Sequence, residues 1–144
     1  PHRNETFYHK GGIKFINDSK ATSFDAAQHS LSNSRNIFWI VGGLPKLNDK
    51  LKLQSVKKNI IKSYIVGKNI SHFKKQIEGV LKYKSSLTIG NALRDIIKDL
   101  HLFKQKHATI ILSPASASYD QFKNFAERGD HFKKLTFKYA RKLL

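Results

Sequence analysis

At 144 residues the chain is long enough for one domain with a real hydrophobic core and too short for several. The absence of cysteine excludes structural disulfides and cysteine-held metals and fits a reducing cytoplasm, while no apolar run approaches the ~20 residues that span a bilayer, so no membrane partner is expected. With 27 Lys+Arg against 10 Asp+Glu the formal charge is +17, which leaves two readings: lysines spread over solvated helix faces, or a basic module that binds nucleic acid. The lysines are scattered and no RNP motif or zinc knuckle accompanies them, so no specific nucleic-acid partner is expected. The chain starts at Pro1 without a visible signal peptide, and an excised domain of a longer chain is expected from that.

In chain order, residues 6–9 and 13–17 read as short strands around Lys10-Gly11-Gly12, a hairpin signal. Residues 18–22 form a loop and 23–31 a helix, with Thr22 and Asp25 at capping-box spacing. Ile37–Val41 is continuously apolar, hence a strand buried on both faces, and it stops at Gly42-Gly43. A helix over 51–61, a strand at 64–66 and a helix over 71–81 follow. A marginal strand at 86–89 precedes a helix over 91–103, where Leu93, Ile96, Ile97 and Leu100 share a face. Ala108–Leu112 is β-branched and ends at Ser113-Pro114. Ser118 and Gln121 then stand as S-x-x-Q, predicting a capped helix start, and a last helix covers about residues 130–143.

This alternation predicts an α/β fold: a mostly parallel Rossmann-like sheet of about six strands, helices on both faces, and a short N-terminal hairpin. Ligands in such sheets sit beyond the carboxyl ends of strands, so the loops after Asn17, Val41 and Leu112 should share one edge. The first of these, Asn17-Asp-Ser-Lys-Ala-Thr22, is either a capped helix with an exposed lysine or an anion site in which Lys20 adds charge to helix N–H groups. Asp18 repels anions, and a role for it would involve hydroxyls such as those of a ribose. In the third loop Ser118 is either a plain cap or part of an anion-gathering helix start. The seven histidines show no metal-ligand spacing, and no metal site is expected.

The string over residues 112–132, LSPASASYDQFKNFAERGDHF, resembles the C-terminal signature of the Mur ligases, in the form found in the D-glutamate-adding members of peptidoglycan synthesis. Ser116 stands where that signature usually has cysteine, and Ala126 where an acid is frequent. Residues 17–22, NDSKAT, match a second family segment; Pro1-His2-Arg3 matches a third, with Arg3 fifteen residues before Asp18. Gly42-Gly43-Leu-Pro-Lys46 matches a GG-x-x-K segment, with Leu44-Pro45 departing from its commonest form.

The resemblance implies a single Mur ligase C-terminal domain over 1–144 whose loops bind D-glutamate and part of a nucleotide. It places Arg3 and Asp18 on the nucleotide, and Lys20 beside the phosphate and the acyl-transfer site as the catalytic residue. Thr22 and Lys46 would hold one carboxylate of D-glutamate, and Ser118 with the backbone N–H of Phe125 the other. ATP and Mg2+ would be the cofactors, with UDP-N-acetylmuramoyl-L-alanine as the other substrate and ADP as product, in the cytoplasm. No phosphate loop of the form G-x-x-x-x-G-K-[ST] occurs in the chain, so that loop, the metal ligands and the sugar-nucleotide site are expected on N-terminal and central domains outside it. Alone, the chain should be inactive. The neighbouring readings are another amino-acid-adding Mur ligase, a folylpolyglutamate synthetase domain, or a basic nucleic-acid-binding module.

Overall fold

Two apolar runs in the chain are buried at every position, and a strand buried on both faces must lie inside a sheet. In the computed structural model, which describes residues 1–144, those runs are neighbours in a six-stranded sheet. The elements are β1 (Glu5–Lys10), β2 (Ile13–Asn17), α1 (Phe24–Ser32), β3 (Ile37–Val41), β4 (Ile60–Val66), α2 (Ile70–Ile77), β5 (Tyr83–Leu87), α3 (Ile89–Leu102), β6 (Ala108–Leu112) and α4 (Phe125–Leu143). The sheet order is β1-β2-β6-β3-β4-β5. The β1–β2 hairpin is antiparallel and every other pairing is parallel, as the alternating pattern predicts.

Alternation along the central strands divides the core into two halves. Phe38 and Ile40 of β3, with Ala108, Ile110 and Leu112 of β6, face the apolar sides of α3 and α4. Ile37, Trp39 and Val41, with Ile111, face α1 and α2. Helices therefore cover both faces. Trp39 is fully buried, and its indole Nε1 donates to the Ser113 carbonyl at 2.7 Å, which pins the start of the loop after β6.

Several local expectations need correction. Residues 51–61 form two short 3-10 turns, Leu53–Ser55 and Lys57–Asn59, and β4 begins at Ile60. Leu53, Val56 and Ile60 are buried as a helical stripe would be, but the parallel ladder with β3 claims residues from Ile60 onward. Around Ser118 there is a turn rather than a helix start: the Ser118 carbonyl accepts from the N–H of Gln121 and Phe122. The last helix instead runs unbroken from Phe125, capped by Asn124, whose side chain accepts from Glu127 N–H at 2.8 Å. Ser23, not Thr22, caps α1. The strand expected at 86–89 is β5, ending at Leu87, and Thr88 caps α3. No helix is long and apolar enough to cross a membrane.

Candidate functional site

Because β6 inserts between β2 and β3, the three strands whose trailing loops carry unusual residues are adjacent. Asn17 is in register with Leu112, and Leu112 with Ile40, so their loops leave the sheet side by side. Backbone hydrogen bonds then join them: Asp18 N–H to Leu112 O at 2.8 Å, Gly42 N–H to Pro114 O at 3.1 Å, and a two-way bridge between Leu44 and Ala117 at 2.9 Å.

Gly42 and Gly43 have φ of 129° and 147°, in the region that side chains disfavour. A Cβ on Gly42 would collide with the Val66 carbonyl, and one on Gly43 would lie 2.5 Å from Ala117 O and 2.7 Å from Ser116 Oγ. The close approach that glycine permits here is thus to neighbouring backbone. Ala115, at φ 55°, is a non-glycine residue held left-handed in the third loop. A fourth segment, after β4, joins the same edge: Asn69 Nδ2 donates to Gly43 O at 2.9 Å, and Lys68 N–H donates to Asp120 Oδ2 at 3.1 Å.

Asp18 lies at the centre of the first loop, 3% exposed. Its Oδ1 accepts from Asn4 N–H at 2.9 Å and its Oδ2 from the Ser113 hydroxyl at 2.7 Å. Burial pushes its carboxyl above the ordinary 3.8, against the pull of the bonds from Ser113, Asn4 and Ser30 and the charge of Arg3. Arg3, Asp18 and Lys20 line one cavity of about 120 Å³, together with Ala21, Ala26 and His29. The three residues assigned to the nucleotide and the transfer site are therefore brought together.

The residue before Arg3 is anchored to the sheet edge. His2 has φ 66° and is 8% exposed. Its Nδ1 accepts from Asn17 Nδ2 at 2.8 Å, which leaves its ring proton on Nε2, 3.6 Å from Asp130 Oδ1. The His2 carbonyl accepts from Lys20 N–H at 2.9 Å. Gly129 of α4 is needed here, since a Cβ would strike the imidazole.

Sequence patterning passed over Arg128, which ties the edge to α4. It is 2% exposed, donates from Nε to Ser19 Oγ at 2.9 Å and from Nη2 to Ser19 O at 2.7 Å, and its Nη1 has no partner. Burial lowers its pKa to about 10, a shift that Asp120 opposes. The Ser19 hydroxyl in turn donates to Phe125 O at 2.7 Å. Lys20 Nζ lies 5.7 Å from the centre of the Phe125 ring, in cation–π range. The only signal for Arg128 was its place in the string over residues 112–132; Asn69 had none.

The four residues assigned to D-glutamate differ widely in burial. Ser118 is 2% exposed. Phe125 is half-buried and, as the first residue of α4, has an N–H without an intrahelical acceptor. Thr22 is half-buried and Lys46 exposed. Loop ties connect them: Lys46 follows the Leu44–Ala117 bridge that adjoins Ser118, and Asp49 Oδ2 accepts from Phe24 N–H at 3.0 Å beside Thr22. None of the four lines a cavity. No group of three or more His, Asp or Glu side chains is placed to hold a metal ion.

No protein-family model matches the chain. It is 39% identical over 134 residues, 93% of its length, to the UDP-N-acetylmuramoylalanine–D-glutamate ligase of Nitrobacter winogradskyi. The enzyme of that name from Agrobacterium fabrum is 37% identical over 131 residues and that from Rhizobium meliloti 39% identical over 131, each 91% of this chain. The matched segments are 28–29% of those relatives, so the chain spans less than a third of their length.

Proposed function

We propose that the chain is the carboxyl-terminal domain of a Mur ligase, an ATP-dependent enzyme joining D-glutamate to UDP-N-acetylmuramoyl-L-alanine, on the footing of its similarity to ligases of that name. The observation that carries this reading is the convergence of three motif-bearing loops on one edge of the sheet, where α/β proteins bind ligands.

Arg3, Asp18 and Lys20 fit part of a nucleotide. Asp18 offers carboxylate oxygens to hydroxyls, while Arg3 and Lys20 supply positive charge to phosphate. When bound, ATP supplies the phosphoryl group that activates the acceptor carboxylate. Lys20, whose Nζ lies over the Phe125 ring, is the catalytic residue that would neutralise charge there. Lys46 and Thr22 would take one carboxylate of D-glutamate, and Ser118 with the free N–H of Phe125 the other. An amino acid lacking the second carboxylate would leave the buried Ser118 and that N–H unpaired, and selection follows from that penalty. The residues here do not fit a Mg2+ site. The metal, the phosphate loop and the UDP-sugar site are assigned to further domains of the same protein, in the cytoplasm, and the domain alone should release no ADP.

Ligand-observed NMR on the 144-residue chain tests the amino-acid half directly. D-Glutamate at millimolar concentration should receive saturation from the protein more strongly than L-glutamate, and the combined K46A/S118A variant should abolish the difference. Equal transfer to both enantiomers, or a D-specific signal that survives K46A/S118A, would overturn the assignment.

A further inference from the structure

The largest cavity of the molecule is not at this edge. About 590 Å³ in volume, it lies at the opposite end of the sheet, where β2 and β6 begin and the β1–β2 turn folds over. That size is within the range of small-molecule sites, but apolar side chains contribute almost nothing to it: of its lining residues one is hydrophobic. Lys14, Arg35, His9 and His107 all face it. None of the ten Asp and Glu residues does, and neither Lys14 nor Arg35 is in an ion pair.

The walls are firm. Lys14 is in register with Thr109 in the parallel β2–β6 ladder, between Ile13↔Ala108 and Phe15↔Ile110. Gly12 packs against the Lys106 carbonyl and the His107 imidazole with no room for a Cβ. The carboxyl end of α1 points its last carbonyls this way, which would disfavour an anion, but those groups are already covered. Asn33 Nδ2 donates to His29 O at 2.8 Å, and Arg35 Nη1 donates to Ser34 O at 3.0 Å and Ser32 O at 3.4 Å. The charged side chains left in the concavity, Lys14 and Arg35, are both cationic. The concavity is open to solvent, with Arg35, His9 and His107 exposed and Lys14 half-buried. Like charges on one concave surface repel one another and raise the local concentration of anions, and a bound anion relieves the repulsion.

We propose that this cleft is a second, separate site that binds a small anion bearing two or more adjacent phosphates, held by Lys14 and Arg35 with His9 and His107 at its rim. A single phosphate would leave most of the volume unused and could not reach both cations across it as an extended chain of phosphates could. The site is independent of the amino-acid and nucleotide residues, which lie across the sheet.

Amide-resolved NMR titration of the 144-residue chain with tripolyphosphate, in about 150 mM salt where charges are screened beyond ~8 Å, provides the test. Saturable shifts are expected at Gly11, Gly12, Asn36 and His107, with orthophosphate at least about tenfold weaker. Reversal of the two cleft cations, K14E/R35E, should weaken tripolyphosphate at least about tenfold, while K74E/K75E, the same charge change on the exposed face of α2, should alter it less than about twofold. The neutral K14Q/R35Q should show the cleft-specific loss too, with an unchanged amide spectrum elsewhere. Equal losses in the cleft and α2 variants, or shifts centred on Lys20, Gly43 and Ser118, would overturn the proposal.

Discussion

Asp18 sits where two demands conflict. Its hydrogen bonds to Asn4 and Ser113 organise the first loop, yet burial pushes its carboxyl above the ordinary value. A raised folded-state pKa means that its contribution to stability is fully present below the unfolded value of 3.8 and is lost as pH rises through the folded one. At neutral pH the ionised group is therefore a net cost, of the kind tolerated at functional sites. D18N should unfold at an equal or higher urea concentration than the parent at pH 7, and the gap should close as pH falls toward 4. A large loss of stability at pH 7 would mean that the carboxylate's bonds outweigh its burial. The motif string singled out Asp18 and Lys20, within one continuous hexapeptide, and the two line a single cavity. Arg128 was not legible, because a lysine- and arginine-rich helix gives no periodic sign of which cation turns inward to the Ser19 carbonyl. Such a choice is made by tertiary packing.

At the scale of elements, the buried strands were legible because continuous β-branched runs have few alternatives, and the carboxyl-edge loops followed from them. The start of α4 was not. Ser118-x-x-Gln121 and Asn124-x-x-Glu127 both satisfy the sequence form of a cap, and local pattern has no means of choosing between them. The backbone decides it: only Gln121 and Phe122 close onto the Ser118 carbonyl, a single turn that does not propagate, and the continuous helix starts after Asn124. N124A should consequently cost about 1 kcal/mol of stability, the usual worth of a cap, and fray the first turn of α4 in amide exchange. S118A should leave that turn protected. Fraying in S118A instead would restore the earlier helix start. The stretch 51–61 misled for a related reason: its apolar spacing suits a helix, but the β3 ladder draws the chain into strand at Ile60.

For the whole molecule, the strand order matters most. Placing β6 between β2 and β3 gathers loops from residues 18–22, 42–46 and 113–118 at one end, and leaves a cationic cleft at the other. The order was beyond the reach of pattern reasoning, since pairing of parallel strands depends on how α3 and α4 pack across the sheet and not on any local signal. The gathered edge encloses a small cavity lined by Arg3, Asp18 and Lys20, while Thr22, Lys46, Ser118 and Phe125 line no cavity. Half of a site of this kind would be completed by closure of another domain upon it. The decisive measurement is amino-acid-dependent ADP release by a fusion in which this chain replaces the matched segment of the Nitrobacter winogradskyi relative, with cooperative unfolding checked beforehand. ADP release from ATP and UDP-N-acetylmuramoyl-L-alanine should require D-glutamate and disappear in K20A and in K46A/S118A. A folded fusion that releases ADP equally with L-glutamate, or that ignores those substitutions, would contradict the assignment of this edge to D-glutamate addition.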